Sequence, residues 1–419
     1  MPEITAKEAL RFVQENDVKF IRLAFCDLFG VQKNIAIMPG ELARALEAGI
    51  PFDASAVPGF WGAGGEDLLL IPDPATLSVL PWRPSQGRVV RFYCRICHLD
   101  GSPYEGDTRW LLRQAVAVLG QQGYSCRVGA ACEFYLFLLD EQGNPTRLPQ
   151  DRAGYCDIAP LDKGETVRRE ICLTLEEMGL LPERSHHGRG PGQNEIAFGY
   201  DDALPAADNL VTFRAVVKAV AAQHGLYASF LPKPLPEGEG SSLHIGLSLA
   251  RAGAKLPRQG EAFLQGVLER LGETAAFLNP LPNSYERLAG LGRPLRVGWA
   301  MGSRTQPVRV LDKDFSRLEV CSPDPACNPY LALLLLLQAG LEGVLQDRPL
   351  LPEGGQGAGR LPESLPGALQ AARASDFLRR ALPEPLVAQY LDTRERECQE
   401  LENAVDAAAF EEEQFFPYI

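Results

Sequence analysis

The stretch at residues 330–341 is the longest apolar run in the chain, and it limits the fold more than any other segment. It falls far short of the ~20 residues that a membrane-spanning helix needs. Asn328 and Pro329, just before it, make a good N-cap and first helical position. The run therefore reads as a buried helix, and a buried helix needs a large core around it. The chain can supply one. It has 419 residues, 46% of them hydrophobic, enough for two or three domains or one large one.

The formal net charge of -13 argues against nucleic acid or an anionic membrane as the main partner. Its plainest meaning is solubility. The opening segment MPEITAKEALRFVQ is charged and amphipathic, unlike a secretory leader. The 10 cysteines follow no framework spacing. Cys94 and Cys97 have the C-x-x-C form but lie on an alternating, strand-like segment. Residues three apart on a strand face opposite ways, so this pair makes a poor zinc clip. Reduced, mostly buried thiols in a cytoplasmic protein are expected.

Thr5 and Glu8 predict a capping box for a first helix, with Leu10 and Val13 on its apolar side. Residues 18–25 read as a strand, and residues 39–48 as a short helix stopped by Gly49. Val90, Phe92, Cys94 and Ile96 alternate with Arg91, Tyr93 and Arg95, predicting a strand with one buried and one wet face. Helices and strands mix here without regular βαβ repetition. A small α+β domain over residues 1–100 follows, with the turn-rich segment HLDGSPYEGD as its boundary and a second domain over 101–419.

In the second domain, residues 110–119 and 166–178 read as helices and 129–139 as a strand. Asp208 is expected to open a helix ending at His224. Residues 352–366 read as a flexible connector and residues 393–408 as a charged helix. The apolar tail QFFPYI is expected to pack on another surface, such as another subunit.

Four residues stand out chemically: Glu133, Glu195, His244 and Glu319. Each lies in a short strand-like or glycine-rich stretch, where an ionisable group is expensive to bury without a role. Three carboxylates and an imidazole in one cleft would hold a hard divalent cation and suggest phosphate chemistry. Ala131, Glu133 and Tyr135 share a strand face, and so do Gln193, Glu195 and Ala197. Of the adjacent His186 and His187, at most one can point inward. Before His244, a Gly- and Ser-rich turn would let backbone amides approach an anion. Arg287, Arg304, Arg309 and Arg317 are spread along the stretch that leads to Glu319 and suit carboxylate or phosphate recognition.

The segments IRLAFCDLFGVQKN, GIPFDASAVPGF, EFYLF, PGQNEIAFGYDDALPAADNLVTFRAVVKAVAAQHGLYASFLPKP, NSYERL and SPDPACNPYLAL resemble the bacterial-type glutamine synthetase family over nearly the whole chain. The resemblance implies an α+β fold: an N-terminal β-grasp domain and a C-terminal catalytic domain. It also implies hexameric rings, stacked into a dodecamer, with active sites shared between neighbouring subunits. The implied chemistry is ATP-dependent amide formation through an acyl phosphate, with Mg2+ or Mn2+, in nitrogen metabolism. By motif position, Glu133 and Glu195 match ligands of one cation, and His244 and Glu319 match ligands of the other. Arg287, Arg304 and Arg309 match groups holding glutamate or the transferring phosphate, and Glu239 and Gly240 fall in the glutamate turn. Ser248 and Arg317 match nucleotide contacts, and Asp53 matches an acid lent to a neighbouring subunit to bind ammonium.

The chain departs from the family pattern at several of these places. Ala131 and Gly188 stand where cation ligands are usual, so each cation loses one. Gly292 stands about where the flap glutamate belongs, Cys321 replaces an arginine, Glu239 an asparagine and Gly246 a histidine. Arg189, beside the lost carboxylate, could pair with Glu133 or Glu195 in place of a cation. Three functions remain open: a ligase with a changed amine or acid substrate, an inactive ring-forming or sensing homologue, and a thiol enzyme using Cys321 with His244.

Overall fold

The computed structural model describes residues 4–61, 67–83, 86–253, 256–290, 296–354 and 359–419. Gly292 and residues 355–358 of the expected connector lie outside the described residues. The architecture is α+β, built on two sheets.

The first sheet begins after helix α1 (Ala6–Glu15), which carries the expected capping box from Thr5 and Glu8. Its strands are β1 (Val18–Cys26), β2 (Gln32–Ile37), β3 (Ile50–Asp53), β4 (Asp67–Pro72), β5 (Ser78–Val79) and β6 (Arg88–Cys97). They lie in the order β2-β1-β6-β4-β3, with β5 also on β6. Helix α2 (Leu42–Ala48) ends at Gly49, whose φ of 76° is one that glycine adopts without strain.

The prediction of a wet face for β6 is wrong. Arg91 and Tyr93 are 7% and 1% exposed, because that face lies against helix α5 (Ala203–Gln223) of the second domain. Arg91 Nη1 donates to Thr212 Oγ1 at 2.6 Å, and its guanidinium stacks 3.9 Å from the Tyr93 ring centre. The alternation of charged and apolar residues that reads as solvent exposure is a domain seam.

Helix α3 (Thr108–Gln121) leads into the second sheet. Its central strand is β7 (Ser125–Leu139), with β8 (Pro145–Pro149) paired at its end. After α4 (Glu165–Glu177) come β9 (Pro182–His187), β10 (Gln193–Asp202), α5, β11 (Leu226–Ser229) and β12 (Leu243–Ala250). Then α6 (Pro257–Leu278) and α7 (Pro282–Gly290) precede β13 (Trp299–Met301), β14 (Val308–Val310) and β15 (Arg317–Val320). The sheet order is β13-β14-β15-β12-β7-β10-β9.

One face of this sheet carries Cys132, Phe134, Ile196, Ile245 and Leu247 into the main core. There α8 (Pro329–Leu345) packs on α6 and α3. Asn328 caps α8 as expected, its Oδ1 accepting from the Tyr330 and Leu331 amides. Asp208, in contrast, opens no helix. α5 starts at Ala203, with Pro205 in the first turn, where a missing N–H costs nothing. Asp208 sits inside the helix, accepts two hydrogen bonds from Arg109 at 2.8 and 2.9 Å, and accepts a third from Tyr330 Oη at 2.7 Å.

Helices α9 (Leu365–Ala374), α10 (Asp376–Ala381), α11 (Glu384–Asn403) and α12 (Ala407–Gln414) close the chain. The charged helix starts earlier than the sequence suggests, and a separate short helix follows it. The expected packing of the apolar tail is met within the chain at Phe415 and Phe416. Phe415 and Phe416 are buried on the protein's own Tyr135, Phe137, Leu231 and Leu281. The Phe416 ring lies 4.9 Å from that of Tyr227 and 5.7 Å from that of Phe137.

Candidate functional site

The register of the second sheet brings the singled-out residues together on the face opposite the core. Glu195 on β10 stands directly across from Glu133 on β7. His244 on β12 faces Ala131, and Gly246 faces Glu319 on β15, which in turn faces Arg309 on β14. Period-two alternation places these side chains on one side, while Cys132 turns to the core. Above them lies a cavity of about 580 Å³, whose lining includes Glu133, Glu195, His244, Glu239, Gly240 and Arg304.

Glu133 is half-buried, and its Oε2 accepts from the Ser242 amide at 2.6 Å. Burial, reinforced by the charge of Glu195, pushes its carboxyl up to about 7 despite that amide. Two facing carboxylates in such a place are relieved by a cation between them. The Glu195 carboxylate already has a cationic neighbour, Arg184 Nη2 at 3.6 Å, and His186 Nε2 lies 3.4 Å away. Arg184 was not singled out from the sequence. Its spacing of two from His186 on β9 was the available signal.

Arg189 lines the cavity, and its charge lowers the Glu133 carboxyl, but the described ion pairs include none between Arg189 and either carboxylate. Its backbone N–H donates to Gln193 Oε1 at 3.0 Å. Gln193 also explains Gly188: a Cβ there would sit 2.6 Å from Gln193 Cγ, so the amide fills space that a larger side chain would need. Of the two histidines, His186 faces the cavity. His187 is fully buried, with Nε2 3.0 Å from Asp151 Oδ1 and Nδ1 2.9 Å from the Gly188 carbonyl.

A second group forms around Glu319. Arg309 Nη2 lies 2.7 Å from its Oε2, and His244 Nδ1 lies 3.8 Å from the same oxygen. Burial would raise this carboxyl, but His244 and Arg309 hold it below its ordinary value. The Cys321 thiol donates to Glu319 Oε2 at 3.4 Å. Gly246 leaves room that Tyr200 takes: a Cβ at 246 would lie 2.4 Å from Tyr200 Oη. The same ring covers Gly129.

The remaining expected residues are more dispersed. The Arg287 guanidinium is 1% exposed and works beneath the turn, donating to Ser242 Oγ, Asn279 Oδ1 and the Ser322 carbonyl. Ser248 pairs with Arg317 across β12 and β15, where Arg317 Nε holds Asp312 at 3.2 Å. Asp53 lies on the first domain, outside this cavity, its Oδ1 accepting from Ser55.

The donor set fits divalent cations at two places. Glu133 and Glu195 offer carboxylate oxygens, and His244 with Glu319 offers nitrogen and oxygen.

The chain is similar to known proteins over both halves. The profile "Glutamine synthetase, beta-Grasp domain" matches residues 17–99, and "Glutamine synthetase, catalytic domain" matches residues 105–413. Glutamine synthetase of Methanosarcina mazei is 39% identical over 435 residues, covering 97% of each chain. That of Clostridium saccharobutylicum is 44% identical over 357 residues, 82% of this chain and 81% of the relative. A solved GmaS/ADP complex superposes with a TM-score of 0.86 at 28% identity, over 97% of this chain and 99% of the other. Plasmodium falciparum glutamine synthetase, at 20% identity and a TM-score of 0.86, shares the fold.

Proposed function

Because the chain belongs to the glutamine synthetase family, we propose that it is an ATP-dependent ligase with altered substrate choice. It joins a carboxylate, glutamate or a relative, to an amine or ammonia. The observation that carries this reading is the convergence of Glu133, Glu195, His244 and Arg304 on one cavity of about 580 Å³.

In the proposed reaction ATP gives its γ-phosphoryl group to the substrate carboxylate, releasing ADP. The amine then attacks the acyl phosphate, and phosphate leaves as the amide forms. Mg2+ or Mn2+, when bound by Glu133 with Glu195 and by His244 with Glu319, would offset phosphate charge. Arg304 and Arg309 would steady the transferring phosphoryl group, and Ser248 and Arg317 the nucleotide. Glu239 and Gly240 would form the wall against the acid substrate. Buried Arg287 would act from beneath, by holding Ser242, whose amide holds Glu133. Asp53 would serve a neighbouring subunit's cavity, which requires homo-oligomeric rings, hexameric or dodecameric, and a division of the chain near residue 100. A cytoplasmic setting fits a chain whose described helices include none long and apolar enough to cross a membrane.

Altered specificity is supported at two walls. An acidic Glu239 lines the cavity beside Gly240, and the thiol of Cys321 lines it near Glu319. Phosphate release from ATP, measured over a panel of amines and acids, tests the proposal. Release that depends on an amine larger than ammonia is the expected result.

One observation favours the second reading, an inactive homologue with a structural or sensing role. Cationic side chains already stand at both carboxylate groups: Arg309 at Glu319, and Arg184 at Glu195. Absence of both turnover and nucleotide binding would establish that reading instead. Turnover without ATP that is lost in Cys321→Ala would point to the thiol enzyme.

A further inference from the structure

We propose that His244, Glu319 and Cys321 form a binding site for a thiophilic divalent cation, with Zn2+ as its type. This deepens the ligase reading, since two of the three residues serve it, and it changes the class of metal at that half of the cleft.

The nitrogen, oxygen and sulfur atoms that these side chains offer all lie within 4.8 Å of one another. Cys321 Sγ is 3.4 Å and His244 Nδ1 is 3.8 Å from Glu319 Oε2. Donors held ~2.0–2.3 Å from a tetrahedral zinc ion stand roughly 3.3–3.8 Å apart, so the three are nearly in place. Across the strand pair, His244 faces the methyl group of Ala131, which supplies no oxygen. Sulfur approaches from the other side, just beyond β15.

Charge and ligand type point the same way. One carboxylate, one thiolate and a neutral imidazole carry two negative charges and cancel a divalent cation. Mg2+ demands oxygen ligands near octahedral geometry, whereas thiolate with imidazole selects Zn2+ or Co2+. Binding forms a metal–sulfur bond and releases the Cys321 thiol proton to solvent. Arg309 then gives up Oε2 to the cation. His244 and Cys321 line the cavity, so the position left open by the protein faces substrate. The other cluster of this kind among the described residues, Asp151, Asp162 and His187, is spent internally: Asp162 grips Arg168 and Asp151 holds His187.

The test uses the full chain, reduced with a non-chelating phosphine. Co2+ is titrated in a roughly thousandfold excess of Mg2+. One equivalent should produce a near-ultraviolet sulfur-to-cobalt charge-transfer band, and Zn2+ should abolish it. Cys321→Ser should remove the band and weaken Zn2+ by at least roughly 100-fold, more than loss of an outer-shell partner costs. Cys156→Ser, which removes the exposed thiol, should keep the band. His244→Gln reads the same site from another strand should Cys321→Ser fail to fold. A missing band in the wild-type protein, or one that survives Cys321→Ser or His244→Gln, overturns the proposal. ATP-dependent turnover with Mg2+ and no band would leave the ligase reading standing. A band without any turnover would do the reverse.

Discussion

His187 is a buried imidazole with acceptors on both ring nitrogens, the Gly188 carbonyl and the Asp151 carboxylate. Only the protonated ring can donate to both. Burial opposes that charge, but the hydrogen bond to Asp151 raises the His187 pKa above its ordinary 6.5. On the other side, burial opposes ionisation of Asp151, yet His187 and the Gly192 and Lys163 amides bring it down to about 2. The histidine's contribution is complete below pH 6.5 and is lost as pH rises through its raised value. The aspartate's is present above 3.8 and is lost as pH falls through about 2. His187→Gln should therefore cost about 3 kcal/mol near pH 5 and progressively less at alkaline pH. Thermal melting of both proteins across that range would show it. Tyr200 gives a second case at this scale. Gly246→Ala should cost about 1–3 kcal/mol through its clash with Tyr200 Oη, and Tyr200→Phe should recover part of that in a urea titration.

Among the elements, α5 ties the first domain to two helices of the second. Asp208, one turn and a half inside it, holds Arg109 of α3 and Tyr330 of α8, and Arg109 also reaches Asp73 of the first domain. Asp208→Ala should leave a buried guanidinium short of its main partner and cost roughly 3–5 kcal/mol in denaturant unfolding. The sequence misplaced this residue because Asp before an apolar run looks like an N-cap, and only the tertiary partners reveal its other use. Elements governed by local chemistry were legible: the Thr5 box, the Asn328 cap and the turn at Gly49. So was the parity of β7, which set Glu133 in the cleft and Cys132 in the core. What sequence could not supply was strand register. It is register that sets Glu195 against Glu133 and brings Arg184 and His186 up to Glu195. Register also decides a gain-of-ligand test. Ala131→Glu places a new carboxylate beside His244, so it should lower the melting temperature without metal and tighten Mg2+ roughly tenfold. Melting curves with and without Mg2+ would measure both effects.

Over the whole molecule, the aromatic tail returns to the C-terminal end of β7 and covers Tyr135 and Phe137, on the same strand face as Glu133. Tyr135 in turn donates to the Glu239 carbonyl at 2.7 Å. Phe416→Ala should cost about 3–5 kcal/mol, and by loosening Tyr135 should also weaken substrate binding at the Glu239 turn. Calorimetry and substrate titration on one sample would separate the two losses. The seam along β6 has a different consequence. Arg91 and Tyr93 leave their own sheet to meet Thr212 and the Asp208 carbonyl, so the two halves share one interior. Recombination between relatives cannot treat the N-terminal half as a cassette. A chimera would inherit a guanidinium sealed from water unless its new host offered a hydroxyl at position 212. In this protein that strand and that helix would have to be exchanged as a pair.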